Sequence, residues 1–172
     1  MIYTVECSFN DPAKEAEWNK FYSNDKLPAL ISVNGFFTSQ RFIALTKDCP
    51  RYLAIHSIDE ADVLTSQHYK QAGGGNFAKW QEHITDWHRN IYDMPKRAQA
   101  VNDDEYLLCS EESPQALLDL GLEPIRLNAI ALDKYPAKRW LAVASHLSLD
   151  EIKAGSAKIH IYQAMGKQLK SF

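Results

Sequence analysis

Alternating apolar and polar residues predict short strands in the first half of the chain. Between Ile2 and Phe9, the odd-numbered positions are apolar and most even-numbered ones are polar. This period of two is typical of a half-buried β-strand. Similar runs predict further strands at Phe36–Leu45, Arg51–Ile58 and Asp86–Asp93.

Two helices are predicted between these strands. Asp11-Pro12 provides a helix start, and Trp18, Phe21 and Tyr22 then form one apolar stripe at helical spacing. A second helix is predicted at Glu60–Gln71, and the glycine run that follows it, Gly73–Gly75, predicts a mobile lid or a linker. The predicted order of elements is βαββαβ.

A similar order returns after a polar joint at Arg97–Asp104. The predicted strands are Glu105–Ser110, Ile125–Leu132, Arg139–Ser145 and Lys158–Gln163, with short helices at Ser113–Gly121 and Leu149–Lys153. Two short sequence echoes support a repeat. RYLAIHSI at Arg51 is matched by RWLAVASH at Arg139, and RNIY ending at Tyr92 is matched by IHIY ending at Tyr162.

This pattern predicts an α+β fold made of two ferredoxin-like βαββαβ halves, residues 1–96 and 97–172. Helices cover only one face of such a sheet, so the other face needs a partner. We expect the halves to pack sheet to sheet as one compact unit that resembles a dimeric α/β barrel and encloses a central cavity. A homodimer of chains stays open as well.

Composition narrows the class of protein. Hydrophobic residues make up 45% of the chain, charged residues 24%, and the net charge is -3. These values are typical of globular proteins and argue against a nucleic-acid partner. No apolar run reaches the length of a membrane span, and the N-terminus lacks the features of a secretion signal. Cys7, Cys49 and Cys109 are far apart, which favours a cytoplasmic location.

The first half resembles the EthD-like proteins of the dimeric α/β-barrel superfamily. The resemblance rests on the opening MIYTV strand, the WxxFY stripe, the KLPALISVNGFF segment and the NIYD strand. It implies a ferredoxin-like fold and a small enzyme, since the superfamily includes cofactor-free isomerases, lyases and monooxygenases as well as haem-dependent enzymes. One departure is Lys26, because members of the family often carry histidine immediately before the Leu-Pro dipeptide.

Strand alternation predicts a polar cavity between the halves. It directs Glu6, His56 and His88 inward, and these are the candidate catalytic residues, with His56 as the leading acid or base. Glu6 could instead be a structural partner of Arg41 or Arg126. Candidate substrate-binding residues are Arg41, Tyr52, Asn90, Tyr92, Trp140, His160 and Tyr162.

The main hypothesis is a small cofactor-independent isomerase or lyase that moves a proton on an aromatic or hydrophobic oxygenated metabolite. A non-catalytic small-molecule-binding protein and a cofactor-free monooxygenase are the alternatives. No metal or cofactor is expected, although Glu6, His56, His88 and His160 are residue types found in metal sites. His68 or His88 could ligate haem.

Overall fold

The structure of the chain is a computed structural model that describes residues 1–155 and 158–172. Its strands are β1 (Ile2–Phe9), β2 (Phe36–Ala44), β3 (Tyr52–Ile58), β4 (Ile84–Asp93), β5 (Tyr106–Ser110), β6 (Ile125–Leu132), β7 (Lys138–Ala144), β8 (His160–Ala164) and β9 (Leu169–Lys170). Its α-helices are α1 (Glu15–Phe21), α2 (Leu27–Ile31), α3 (Gln67–Gln71), α4 (Gln115–Asp119) and α5 (Leu149–Gly155).

Eight of these strands close on themselves into an antiparallel barrel. The order around the sheet is β3-β1-β4-β6-β7-β5-β8-β2, and pairing of β2 with β3 completes the ring. The short β9 pairs with β2 near Thr38 and Ser39. Closure removes the open edges that would otherwise expose unpaired backbone groups. The predicted α+β class and barrel are therefore confirmed.

The strands of the first and second halves meet at two seams. At one seam β4 pairs with β6, and at the other β2 pairs with β8. The halves therefore share one continuous sheet, where the sequence had predicted two sheets packed face to face. The order of strands is the same in each half, β4-β1-β3-β2 in the first and β8-β5-β7-β6 in the second.

The barrel wall separates an inner core from two outer cores. The inner core includes Ile2, Leu53, Ile55, Leu107 and Leu127. Outside the wall, the first-half helices cover an aromatic core, and α4 and α5 cover a smaller aliphatic core. Because successive side chains of a strand point to opposite faces, each strand contributes to both an inner and an outer core.

Helical segments in the first half are short and irregular. Residues 15–31 run through α1, a π-helical turn at Tyr22–Lys26, and α2, and they bury Trp18 against the sheet. The single helix predicted at Glu60–Gln71 is instead a 3-10 turn at Ala61–Thr65 followed by α3. Ser66 interrupts it, because its backbone is extended and its hydroxyl accepts a hydrogen bond from the Tyr69 amide. Among the described residues, no helix is long and apolar enough to cross a membrane.

Candidate functional site

His56 lies outside the barrel, under the helices, and not in the central cavity. In β3, Tyr52, Ala54 and Ile58 belong to the outer aromatic core, while Leu53 and Ile55 belong to the inner core. The predicted orientation of this strand was therefore wrong by one residue. Every residue of β3 is buried, so the strand has no polar face from which alternation could be read.

The His56 ring is held in an apolar cage. It stacks on the Tyr3 ring at 5.3 Å between centroids and meets the edge of Phe36 at 5.4 Å. Nδ1 lies 2.8 Å from the Ser39 hydroxyl, and Nε2 has no hydrogen-bond partner among the described residues. Burial, with a smaller effect of the Lys26 charge, lowers the pKa of His56 to about 3. His56 is therefore neutral near pH 7.

Tyr52 and Arg41, two predicted binding residues, also face the helices. The Tyr52 hydroxyl donates to Glu15 at 2.7 Å and accepts from Asn19 Nδ2 at 2.9 Å. The Arg41 guanidinium donates to the Asn19 side chain at 2.8 Å and lies 4.0 Å from the Tyr22 ring centroid. These contacts fix α1 against the sheet, so both side chains have a structural explanation.

Glu6 does point into the barrel, as predicted, and its partner there is Arg139. The carboxylate accepts from Arg139 Nη2 at 2.8 Å, and both side chains are buried. Nη2 also donates to Glu111 at 2.8 Å. Neither Arg41 nor Arg126, the two partners proposed from the sequence, takes this position. Burial lowers the pKa of Arg139, but the attraction of Glu6 outweighs this and holds the pKa above its usual value.

The other predicted residues are spread around the barrel. Tyr92 and Tyr162 are in the inner core, as predicted, and Asn90 is buried with its side chain bonded to the backbone of Tyr135. His88 is exposed and His160 half-buried. Trp140 packs against the outer core of the second half and does not face the cavity. The roles proposed for these residues remain predictions.

A central cavity of about 500 Å³ occupies one end of the barrel. Ile2, Ile55, Leu107 and Val143 are among its lining residues, and segment 94–101 contributes to its wall. Glu6 and Arg139 are not part of the lining. Its lining, taken over residues 1–155 and 158–172, includes no histidine, so the imidazoles proposed for proton transfer do not face it.

A second, small pocket lies on the outer face of the first half, and we call it the helix-side pocket. We define this pocket by Tyr3, Tyr22, Lys26, Tyr69, Gly75, Asn76, Phe77, Trp87 and Arg89. Its free volume is only about 10 Å³, which is room for roughly one water molecule. A larger ligand enters only if part of its wall moves.

Lys26 is a buried cation without a carboxylate partner. Its ammonium donates to the carbonyl oxygens of Gly73 at 2.7 Å and Asn76 at 2.5 Å. It forms no ion pair within the part of the chain that the structure describes. Burial lowers the pKa of Lys26 to about 8, because a charged ammonium is poorly solvated away from water.

Arg89 brings a second cation to the same pocket, beside two hydroxyl groups. The hydroxyls of Tyr3 and Tyr69 lie 3.1 Å apart. Burial lowers the pKa of Arg89, but these neighbouring hydroxyls raise it above its usual value. The guanidinium lies 5.1 Å from the Trp87 ring centroid, and the buried Trp87 Nε1 has no acceptor in the part of the chain that the structure describes. The pocket is thus rich in donors for an oxygen-bearing ligand.

The glycine run forms the outer wall of the pocket. It can approach the pocket closely because glycine has no side chain. A Cβ on Gly74 would overlap the Tyr69 ring, and one on Gly75 would lie 3.6 Å from Arg89 Nη1. Gly73 and Gly75 also have positive φ values of 75° and 83°, which glycine adopts readily. The backbone of the glycine run therefore contacts the polar groups of the pocket directly, and Lys26 holds it in place through hydrogen bonds.

A metal centre is not assembled from the histidines and Glu6. Among the residues that the structure describes, no group of three or more His, Cys, Asp or Glu side chains is placed to hold a metal ion.

The pKa of Lys26 predicts a dependence of stability on pH. Between about pH 8 and 10.5 the unfolded chain binds more protons at Lys26 than the folded chain does. The free energy of unfolding should therefore increase as pH rises through this range. We expect the stability of the wild type relative to Lys26→Met to increase by about 2 kcal/mol from pH 7 to pH 10. Urea unfolding of both proteins at several pH values measures this. A difference that is constant with pH would contradict it.

Three solved structures share this fold over nearly the whole chain. An anthrone oxidase-like protein matches with a TM-score of 0.54 and 11% identity, over 99% of this chain and 92% of its own. A candidate monooxygenase from Fusobacterium nucleatum matches with a TM-score of 0.57 and 11% identity, over 99% and 94%. A candidate monooxygenase from Lactobacillus acidophilus matches with a TM-score of 0.51 and 8% identity, over 96% and 97%.

These similarities establish a dimeric α/β-barrel type of fold for the chain. At such low identity they do not establish a shared reaction. No family model and no curated protein matches the chain, so the narrower resemblance to EthD-like proteins is not confirmed.

Proposed function

We propose that the protein is a small oxygenase that binds an enolisable aromatic metabolite as its enolate in the helix-side pocket. One observation carries this proposal: Lys26 and Arg89, which form no ion pair among the described residues, line one aromatic pocket together with Tyr3 and Tyr69, whose hydroxyls are hydrogen bonded to each other. The buried Lys26 ammonium and the half-buried Arg89 guanidinium favour an anionic ligand, and Phe77 and Trp87 supply flat apolar walls for its rings.

In the proposed reaction, neutral Lys26 accepts a proton from the methylene carbon beside the substrate carbonyl. The C–H electron pair remains on the substrate as an enolate, whose oxygen is stabilised by Arg89 and by the Trp87 N–H. The enolate carbon reduces molecular oxygen and bonds to it, and the peroxide takes the proton back from Lys26. Loss of water then leaves a new carbonyl, so that one methylene group and one molecule of oxygen become a ketone carbonyl and one molecule of water.

The similar folds support this choice over the isomerase or lyase predicted from the sequence. Names of the similar structures refer to anthrone oxidation and to monooxygenation. The predicted isomerisation or elimination would proceed through the same enolate but would consume no oxygen. A non-catalytic binding protein would hold the ligand without turning it over.

We also propose that the two chain segments, 1–96 and 97–172, are ferredoxin-like halves that have diverged in role. Their common strand order supports a shared architecture. Only the first half has the pocket with Lys26 and Arg89, so the chemistry is assigned to it, and the second half serves to close the barrel.

Anthrone in air-saturated buffer tests the proposed reaction. We expect oxygen uptake together with the absorbance of anthraquinone, and a rate that rises through about pH 8 as Lys26 loses its proton. Lys26→Met should lower the rate at least tenfold, because it removes the base. The control is Lys20→Met, an exposed lysine of α1, which should leave the rate unchanged.

Two results would contradict the proposal. Conversion of anthrone without oxygen consumption would indicate proton transfer alone. An equal rate in the Lys26→Met and Lys20→Met variants would show that Lys26 is not the base and that its role is to hold the glycine run in place.

A further inference from the structure

The central cavity is separate from the helix-side pocket. Ile2, which lines the cavity, and Glu6 of the buried ion pair both point inward from β1. They are four residues apart, about 13 Å along the strand. The ion pair therefore closes one end of the barrel, and the cavity fills the other. The barrel wall lies between this cavity and Lys26, which is on the outer face.

Many residues of the inner wall have hydrocarbon side chains, and polar groups provide about as much of the exposed wall surface. Ile2, Ile55, Leu107, Leu127, Leu141 and Val143 all line the cavity. Leu141 and Val143 are only half-buried although they point into the barrel. Their exposed surface faces the cavity. Close-packed interiors seldom leave space of this size unfilled.

Two polar side chains at the wall, Gln40 and Gln168, already have hydrogen-bond partners. Gln40 Nε2 donates to the carbonyls of Val101 at 2.7 Å and Gly166 at 3.0 Å, and Gln40 Oε1 accepts from the Val101 amide at 3.1 Å. Gln168 donates to the Ala98 carbonyl at 3.0 Å. These bonds hold segment 94–101 across the cavity, and the other polar lining residues, Lys96, Gln99 and Glu123, are exposed to solvent.

Opposite charges flank the cavity where it meets solvent. Lys96 and Glu123 are exposed lining residues. Together they favour neither an anionic nor a cationic head group, because each would repel one of them. An uncharged molecule avoids this repulsion and also the cost of placing a charge among hydrocarbon side chains.

We infer that the barrel cavity is a second binding site, for an uncharged, predominantly aliphatic molecule on the order of 15 to 20 non-hydrogen atoms. A small closed barrel has an interior suited to holding one such ligand. The inference does not depend on the proposed oxygenase reaction, because the site lies on the other side of the barrel wall and needs neither Lys26 nor Arg89.

N-phenyl-1-naphthylamine, an uncharged probe that fluoresces in apolar surroundings, tests this site, with 1-decanol as the competitor. We expect saturable fluorescence that 1-decanol displaces. Val143→Phe, and the double variant Leu141→Phe/Val143→Phe, place a ring in the empty space and should weaken probe binding at least tenfold. Ile130→Phe, which adds the same ring at an exposed position of β6, should bind the probe as the wild type does.

The Lys26→Met variant separates this site from the oxygenase pocket, and it should bind the probe with unchanged affinity. Loss of binding in Lys26→Met but not in Val143→Phe would place the probe under the glycine run and overturn the inference. Absence of saturable binding to the wild type would also overturn it. Unfolding curves of each variant show that the compared proteins are folded.

Discussion

Replacing Arg139 with methionine is expected to lower the free energy of unfolding by about 3 to 5 kcal/mol. The substitution keeps the apolar stem but removes the only described ion-pair partner of Glu6, whose carboxylate is buried inside the barrel. A buried charge without a partner is costly, because no water replaces the lost hydrogen bond. Urea denaturation of the purified variant measures the change.

Two further variants make this prediction specific. Arg51 is the residue of the first half that matches Arg139 in the internal echo, but its ion pair with Glu15 at 3.1 Å is largely exposed. Arg51→Met should therefore cost under about 1 kcal/mol. Adding Glu6→Gln to Arg139→Met removes the stranded charge and should recover part of the loss. Equal effects of Arg51→Met and Arg139→Met would contradict the burial argument.

The ion pair also shows what the sequence could and could not predict. Alternation in β1 correctly directed Glu6 into the barrel, since Tyr3, Val5 and Cys7 gave that strand one clear apolar face. Its partner is 133 residues away along the chain. Such long-range pairing depends on the register of β7 against the other strands, which no local pattern specifies.

The orientation of β3 could not be predicted from the alternation of apolar and polar residues. The strand is buried on both faces, so Leu53 and Ile55 on one side and Tyr52 and His56 on the other all suit a core. The prediction that the polar residues of β3 face the cavity therefore assigned both faces of the strand wrongly. The outer core accepts the neutral imidazole of His56 because Tyr3 stacks on the ring and Phe36 meets it edge-on.

The helix-side pocket was not predicted from the sequence, because the residues that form it had a structural interpretation. Lys26 was noted only as a departure from a family pattern, and Gly73–Gly75 only as a lid or linker. The two are connected in the structure, since the lysine holds the loop through its carbonyl groups. A lysine immediately before the apolar segment LPALI, with a later triple glycine, was the available signal. That the lysine and the glycines form one pocket becomes apparent only when the fold is known.

The location of the two sites follows from how the barrel is built. Its interior must be filled or sealed by inward side chains, and here one end is sealed by an ion pair while the other is left open and apolar. The outer face of the first half is covered by short, irregular helices and a loop. Covering elements of this kind can move without disrupting the strand hydrogen bonds, which suits a pocket that must open to admit a substrate.

Replacing Arg89 with methionine is expected to lower kcat/KM for anthrone oxygenation at least hundredfold. A fixed donor at a developing oxyanion typically contributes about two to three orders of magnitude, and the Arg89 guanidinium interacts with the Tyr3 and Tyr69 hydroxyls. Arg89→Lys should restore part of the activity, because it returns the charge without the planar geometry. The matched control is Arg126→Met, an exposed guanidinium on β6, which should retain wild-type activity.

Binding of 1,8-dihydroxyanthraquinone separates loss of charge stabilisation from loss of structure. Its phenolate absorbs at longer wavelength than the neutral phenol, so the visible spectrum reports which form the pocket holds. Wild-type protein should stabilise the phenolate and lower the apparent pKa of the bound ligand, whereas Arg89→Met should bind it mainly as the neutral phenol. A bound spectrum that is the same in both proteins would exclude Arg89 as the group that stabilises the anion, whatever happens to turnover.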